Sequence, residues 1–242
     1  SLSVLRSTVR NFQKVGVLVN GSTATAGIFN NVIRGGGPTP YIAQNGIQFS
    51  RGAAGSAQNN FIYSIHYTGN TCLGAMDTQV GSGILTYQAG QVSLVENYVN
   101  GADRAITLLS NTGSQTVTGS RLVANYSGIA SQGNAAGVVR ISDNRVTGTL
   151  TSDAINASTC FPDTGNGISV EQESGTALIL NQLADNARSG IELLPGATGA
   201  DVQQNRSVRG TRADLEDRGT GNSVSQNTCN TSLPAGLCAF AP

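Results

Sequence analysis

The sequence predicts an all-β fold, a parallel β-helix in which about nine short coils stack into one solenoid. Eight segments repeat one pattern around an asparagine, apolar residues stand at fixed offsets on both sides of it, and the intervals are filled by Gly, Asn, Ser and Thr, which are poor helix formers.

The repeat centres are Asn31, Asn60, Asn97, Ser120, Asn144, Asn181, Asn205 and Asn227. Three residues earlier stand Ile28, Ala57, Leu94, Val117, Ile141, Leu178, Val202 and Val224. Two residues later stand Ile33, Ile62, Val99, Leu122, Val146 and Leu183, before that row gives way to Ser207 and Cys229. Both rows are expected to point inward.

A second motif follows: Gly46-Ile47, Gly83-Ile84, Ala105-Ile106, Gly128-Ile129, Gly167-Ile168 and Gly190-Ile191, with Ala213 to Leu215 as a degenerate member. Phe49, Leu108, Val170 and Leu193 continue it two residues on, the period of a strand with one buried face. Successive centres lie 29, 37, 23, 24, 37, 24 and 22 residues apart, so a minimal coil takes 22 to 24 residues. A first coil is expected around Asn11 and Val15 to Val19, and the whole chain, 1–242, reads as a single solenoid domain about 40 Å tall at the ordinary strand spacing.

The asparagine row has a physical reason. An inward Asn at a bend can bond the same group one coil away while satisfying turn backbone, building an internal ladder, and Ser120 can supply one rung with a hydroxyl.

Where the gap from centre to second motif widens, loops must leave the solenoid on one side. The longest are lateral loops at 63–82 and 147–166, each with one cysteine, Cys72 and Cys160. Four cysteines with no CxxC spacing favour disulfides in an oxidising compartment, with free buried thiols as the alternative. The expected pairs are Cys72 with Cys160 across three coils, and Cys229 with Cys238, which would close the segment 229–242.

Charge excludes several partners. Charged residues make up 12% of the chain, the net charge is zero, and 14 Lys and Arg are scattered, so no basic stripe tracks a nucleic-acid backbone. No apolar run approaches the roughly 20 residues needed to span a bilayer. The start, SLSVLRSTVRNF, has no signal-peptide core and reads as a processed chain or fragment.

The repeat resembles the right-handed parallel β-helix proteins of the pectate-lyase-like superfamily, from about Val9 to Cys229. That resemblance implies a right-handed solenoid and, in members that cleave or epimerise uronic-acid polymers, acidic residues often holding calcium beside Arg or Lys on neighbouring coils. The glycine-histidine-glycine and paired-aspartate motifs of polygalacturonases and the Asp-Pro-His of alginate epimerases are absent. The only histidine, His66, reads as an ordinary loop side chain.

Candidate site residues are therefore few. The charged surface of the later coils holds Asp143, Arg145, Glu171, Glu173, Arg188, Glu192 and Arg206, and the tentative enzyme set within it is Arg145, Arg206, Asp143, Glu171 and Glu192. Arg121, Arg145 and Arg206 are expected in one outward column with Gln182 between the last two, either to neutralise a polyuronate or as a solvated face of salt bridges. Phe61 and Tyr98 share an outward column on adjacent coils, as a sugar platform or a pair packed under a loop. Tyr41, Tyr63, Tyr67, Tyr87 and Tyr126 are the other aromatics expected at the surface, and four glycosylation sequons match chance expectation.

The leading functional expectation is a secreted or cell-surface, non-catalytic structural solenoid in adhesion or an extracellular matrix, associating head to tail into fibres. The alternative is a polysaccharide lyase, hydrolase or epimerase. No cofactor or metal site is expected, apart from calcium if the chain is a lyase; an extracellular polysaccharide is a candidate partner, and the sequence names no ligand.

Overall fold

The structure, a computed structural model, describes residues 2–69, 79–151 and 163–240. Three parallel sheets run its length, of nine, ten and nine strands, and each coil contributes one strand to each sheet in turn. One coil shows the plan: Val92–Val95 in the first sheet, Tyr98–Ala102 in the second and Arg104–Leu109 in the third. The nine-strand first sheet matches the nine coils expected from the repeat.

The predicted rows are the core. Ile28, Leu94, Val117, Ile141, Leu178 and Val202 from the first sheet, and Ile33, Ile62, Val99, Leu122, Val146 and Leu183 from the second, are buried. In the third sheet Ile47, Ile84, Ile106, Ile129, Ile168, Ile191 and Leu215 stack in direct register. The glycine before that isoleucine answers to a close approach: a Cβ on Gly128 would lie 2.1 Å from the carbonyl oxygen of Gly167 on the next coil.

The ladder forms as expected and does two jobs at each rung. The side-chain amide of Asn31 donates to Asn60 Oδ1 at 2.9 Å, Asn60 to Asn97 at 3.0 Å, Asn144 to Asn181 at 3.0 Å, Asn181 to Asn205 at 2.9 Å and Asn205 to Asn227 at 3.0 Å. The same oxygens accept the backbone N–H of the preceding rung, and Ser120 takes its place through Oγ, which accepts from Asn97 N at 3.2 Å.

The ladder makes a sharp bend affordable. In all nine coils the residue before the rung is in the left-handed region, from Arg6 at φ 46° and Glu96 at 52° to Leu180 at 60° and Gly119 at 65°. A non-glycine residue there costs on the order of 1 kcal/mol and persists only where its surroundings over-determine it, as the paired rung does here.

One register expectation changes. The first coil is centred on Ser7, not Asn11, because Val9 pairs with Ile33 and Ser7 N donates to Asn31 Oδ1 at 2.9 Å. Asn11 instead takes a left-handed bend, φ 59°, after the second-sheet strand Thr8–Arg10.

Of the expected disulfides, Cys229–Cys238 is present and holds the strand Ala239–Phe240 onto the second sheet. Cys72 and Cys160 lie outside the described residues. No helix among the described residues is long and apolar enough to cross a membrane.

Candidate functional site

The outer face of the second sheet carries the candidate site. Each strand there starts immediately after a ladder rung, so its first residue points outward. Register then aligns Phe61, Tyr98, Arg121, Arg145, Gln182 and Arg206 on six successive coils. The aromatic pair and the arginine column, separate features in the sequence, are one strip about 24 Å long at the ordinary strand spacing.

At the aromatic end the Phe61 and Tyr98 rings stack with centroids 4.5 Å apart and planes 1° from parallel. Tyr63 meets Phe61 edge-on at 5.5 Å, and Arg34 and Arg121 lie 5.9 Å and 5.8 Å from the centroids of Tyr63 and Tyr98. Phe61 remains 44% exposed, so the pair is not packed under a described loop.

At the cationic end Arg121, Arg145 and Arg206 are exposed, and none forms an ion pair among the described residues. Arg145, Gln182, Arg206 and Arg209 edge a shallow depression floored by Thr147 and Ala184. Arg209 is engaged with Asp185 at 2.5 Å and 2.7 Å, both groups exposed. The guanidinium column is thus a run of uncompensated positive charge beside an aromatic platform, suited to a chain whose rings stack and whose substituents are anionic.

The rest of the tentative enzyme set is elsewhere. Asp143 occupies the left-handed bend before Asn144, exposed at the corner between the first and second sheets. Glu171 and Glu192 lie on the outer face of the third sheet, so the five residues do not converge.

Among the described residues, the bases of the two long loops form a lobe on that third-sheet face. Two consecutive residues of one coil, Asp103 and Arg104, tie both loop bases down. Buried Asp103 accepts Tyr67 N at 3.1 Å, Gly81 N at 2.6 Å and His66 Nδ1 at 2.5 Å, while Arg104 makes a two-point contact to Asp163 at 2.8 Å and 2.7 Å. His66 also stacks on Tyr126 at 4.6 Å, so it is a fixed anchor and not an ordinary loop side chain. Tyr67, expected at the surface, is buried beside it.

Glu192 is fully buried and accepts Asn166 Nδ2 at 2.5 Å, Arg188 Nη2 at 3.1 Å and Arg218 Nη2. One coil on, buried Glu216 accepts Arg212 at 2.7 Å and Ser189 Oγ at 3.2 Å. Glu173 is also internal: it ends a second ladder, accepting from Asn134 Nδ2 at 2.6 Å, with Asn134 accepting from Asn111 Nδ2 at 2.8 Å. No motif or spacing marks these burials, which correct the expectation that Glu173 and Glu192 belong to a charged surface.

Glu171 differs from its neighbours. It is half-buried, its carboxyl makes no hydrogen bond among the described residues, and burial, then the nearby Asp163, push that carboxyl above the usual range against the pull of Arg104 and Arg218. Among the described residues no three or more Asp, Glu, His or Cys side chains group as metal ligands. The described side chains therefore do not fit the calcium that the resemblance implies for lyases, and no step is assigned to it.

Residues 1–158 match the family model described as the right handed beta helix region. The chain belongs to the right-handed β-helix family. The crystal structure of the Dettilon tailspike protein (gp208) is similar over 94% of this chain, with a TM-score of 0.58 and 16% identity. This right-handed β-helix spans 53% of the tailspike chain's length. No curated protein sequence gives a significant match.

Proposed function

We propose that this β-helix is displayed outside the cell and binds an acidic polysaccharide along the outer face of its second sheet, as an adhesive surface protein. The observation that carries the reading is the unpaired, exposed column Arg121, Arg145 and Arg206 continuing the stacked Phe61 and Tyr98 on successive coils. A glycan lying along the solenoid axis would place rings on the aromatics and carboxylates or sulfates on the guanidiniums. Sparse charge, disulfide chemistry and a tailspike as structural neighbour accord with an extracellular setting.

Isothermal titration against polyuronate, sulfated and neutral polysaccharides at two salt concentrations tests it. Acidic chains are expected to bind, more weakly at high salt, with Phe61→Ala and Arg145→Gln each losing about tenfold in affinity, near 1.4 kcal/mol. Equal binding by wild type and both variants, or none to any acidic chain, rejects the reading. Head-to-tail association extends the same proposal, since parallel strands stack edge to edge through their backbone groups; sedimentation showing only monomer at high concentration rejects that part.

A second reading is favoured by Glu171. A half-buried carboxyl whose proton affinity burial raises, with no side-chain hydrogen bond among the described residues, is suited to donate its proton to a glycosidic oxygen as the C–O bond breaks, while a water adds to the anomeric carbon and gives up a proton to solvent. Release of reducing ends from a bound polysaccharide, abolished in Glu171→Gln, would make the chain a depolymerase; no release from any chain that binds leaves it an adhesin.

A further inference from the structure

The chain's zero net charge conceals an asymmetry. Residues 1–76 hold five Lys and Arg and no Asp or Glu, whereas residues 77–242 hold nine Lys and Arg and all fourteen Asp and Glu. The first two coils therefore carry positive charge only. Lys14 is engaged internally, its Nζ donating to the carbonyl of Ala43 at 2.5 Å. Arg10 and Arg34 are exposed, and neither forms an ion pair among the described residues.

Both stand on the outer face of the second sheet. The strands Thr8–Arg10, Val32–Arg34 and Phe61–Ile65 pair so that Arg10, Arg34 and Tyr63 align on three successive coils. Tyr63 lies two residues along its strand from Phe61 and so on the same face. Its column runs beside the one that carries Phe61, Tyr98 and Arg121.

The rings join the two columns. Arg34 lies over Tyr63 at 5.9 Å, Tyr63 meets Phe61 edge-on at 5.5 Å, Phe61 stacks on Tyr98 at 4.5 Å, and Arg121 lies over Tyr98 at 5.8 Å. A guanidinium against an aromatic face is held by the ring's negative charge and keeps its in-plane N–H groups for an anion. The ring cluster thus braces one arginine at each end. Beyond them positive charge continues in opposite directions, to Arg10 one coil before Arg34, and to Arg145 and Arg206 past Arg121.

We propose that the second-sheet face grips its polysaccharide with two cationic arms, Arg10 with Arg34 and Arg121 with Arg145 and Arg206, on opposite sides of the aromatic cluster. This rests on the polysaccharide reading and adds a specificity to it: the ligand is a linear acidic glycan with anionic groups on both sides of the segment that meets the rings. From the first coil to the eighth the arms span about 34 Å at the ordinary strand spacing, and the ligand crosses obliquely from one outward column to the other. A fragment long enough to reach both arms gains affinity over one that reaches a single arm. The first arm stands on coils that contain no carboxylate, whereas Asp143 and Asp185 lie at the corners beside the second, so the first contributes at least as much attraction.

Isothermal titration with oligogalacturonates and heparin oligosaccharides of graded length tests it. Wild-type affinity is expected to rise with length until fragments span about 34 Å. Arg10→Gln with Arg34→Gln is expected to lower affinity for the longest fragments about tenfold, to flatten the length dependence and to weaken the salt dependence, while fragments too short to reach both arms lose no more than about twofold. Unchanged affinity, or a loss equal at every length, overturns the two-armed inference and leaves the polysaccharide reading to stand on Arg145→Gln. Binding of no fragment by the wild type removes the reading and the inference together.

Discussion

The outer faces of the second and third sheets use the same charged residue, arginine, to opposite ends. On the second, Arg121, Arg145 and Arg206 stand exposed with no carboxylate paired to them among the described residues. On the third, Arg104, Arg188 and Arg218 are committed to Asp163 and Glu192 at the foot of the loops. Charge content therefore does not distinguish a binding face from a structural one; what distinguishes them is whether the counter-charge is already supplied by the chain. A committed guanidinium contributes to holding the lobe, and an uncommitted one is available to a ligand.

Substitutions on the two faces should separate cleanly. Glu192→Ala removes the buried carboxylate that two arginines and an asparagine share and is expected to cost about 3 kcal/mol in denaturant unfolding, whereas Arg145→Gln with Arg206→Gln should change stability by less than about 0.5 kcal/mol while removing salt-dependent polysaccharide binding. Equal destabilisation from the two faces would erase the distinction. Arg104→Gln loses the two-point contact to Asp163 and is expected to cost about 1–3 kcal/mol and to speed proteolysis within 147–166, with binding at the second sheet unchanged. If binding falls as well, the lobe and the strip are one site.

The smallest effect concerns pH. Glu171 is raised in the folded state, so the native protein holds a proton that the unfolded chain releases earlier, and stability falls as pH climbs from the ordinary carboxylate value through the raised one. Glu171→Gln should flatten the Tm profile in that window and leave neutral-pH stability equal or slightly higher. A profile identical to wild type would show that this carboxyl titrates normally.

The fold was legible because the ladder and the inward rows repeat the same residue types at the same offsets, so eight independent copies report one geometry. Ser7 escaped because a serine can hold a rung as well as an asparagine, and the nearby Asn11 drew the register toward itself. The strip is half legible: the spacing puts Phe61 with Tyr98 in one outward column and the arginines in another, but only the strand pairing of Tyr98 with Arg121 joins them. Glu173, Glu192 and Glu216 were unreadable, since their burial depends on side chains contributed by neighbouring coils and by loop bases that carry no repeat. His66 was misread for the same reason: its partner, Asp103, is 37 residues away.

The left-handed residue before every rung has a consequence for how such a protein changes. Because the rung, the bend and the inward rows carry all the instructions for closing a coil, the side chain that follows the rung is free of them, and nine such positions stand in a line. Each can be exchanged without rebuilding the coil beneath it, so the order of ring and charge along the face can shift one letter at a time while the scaffold underneath stays the same.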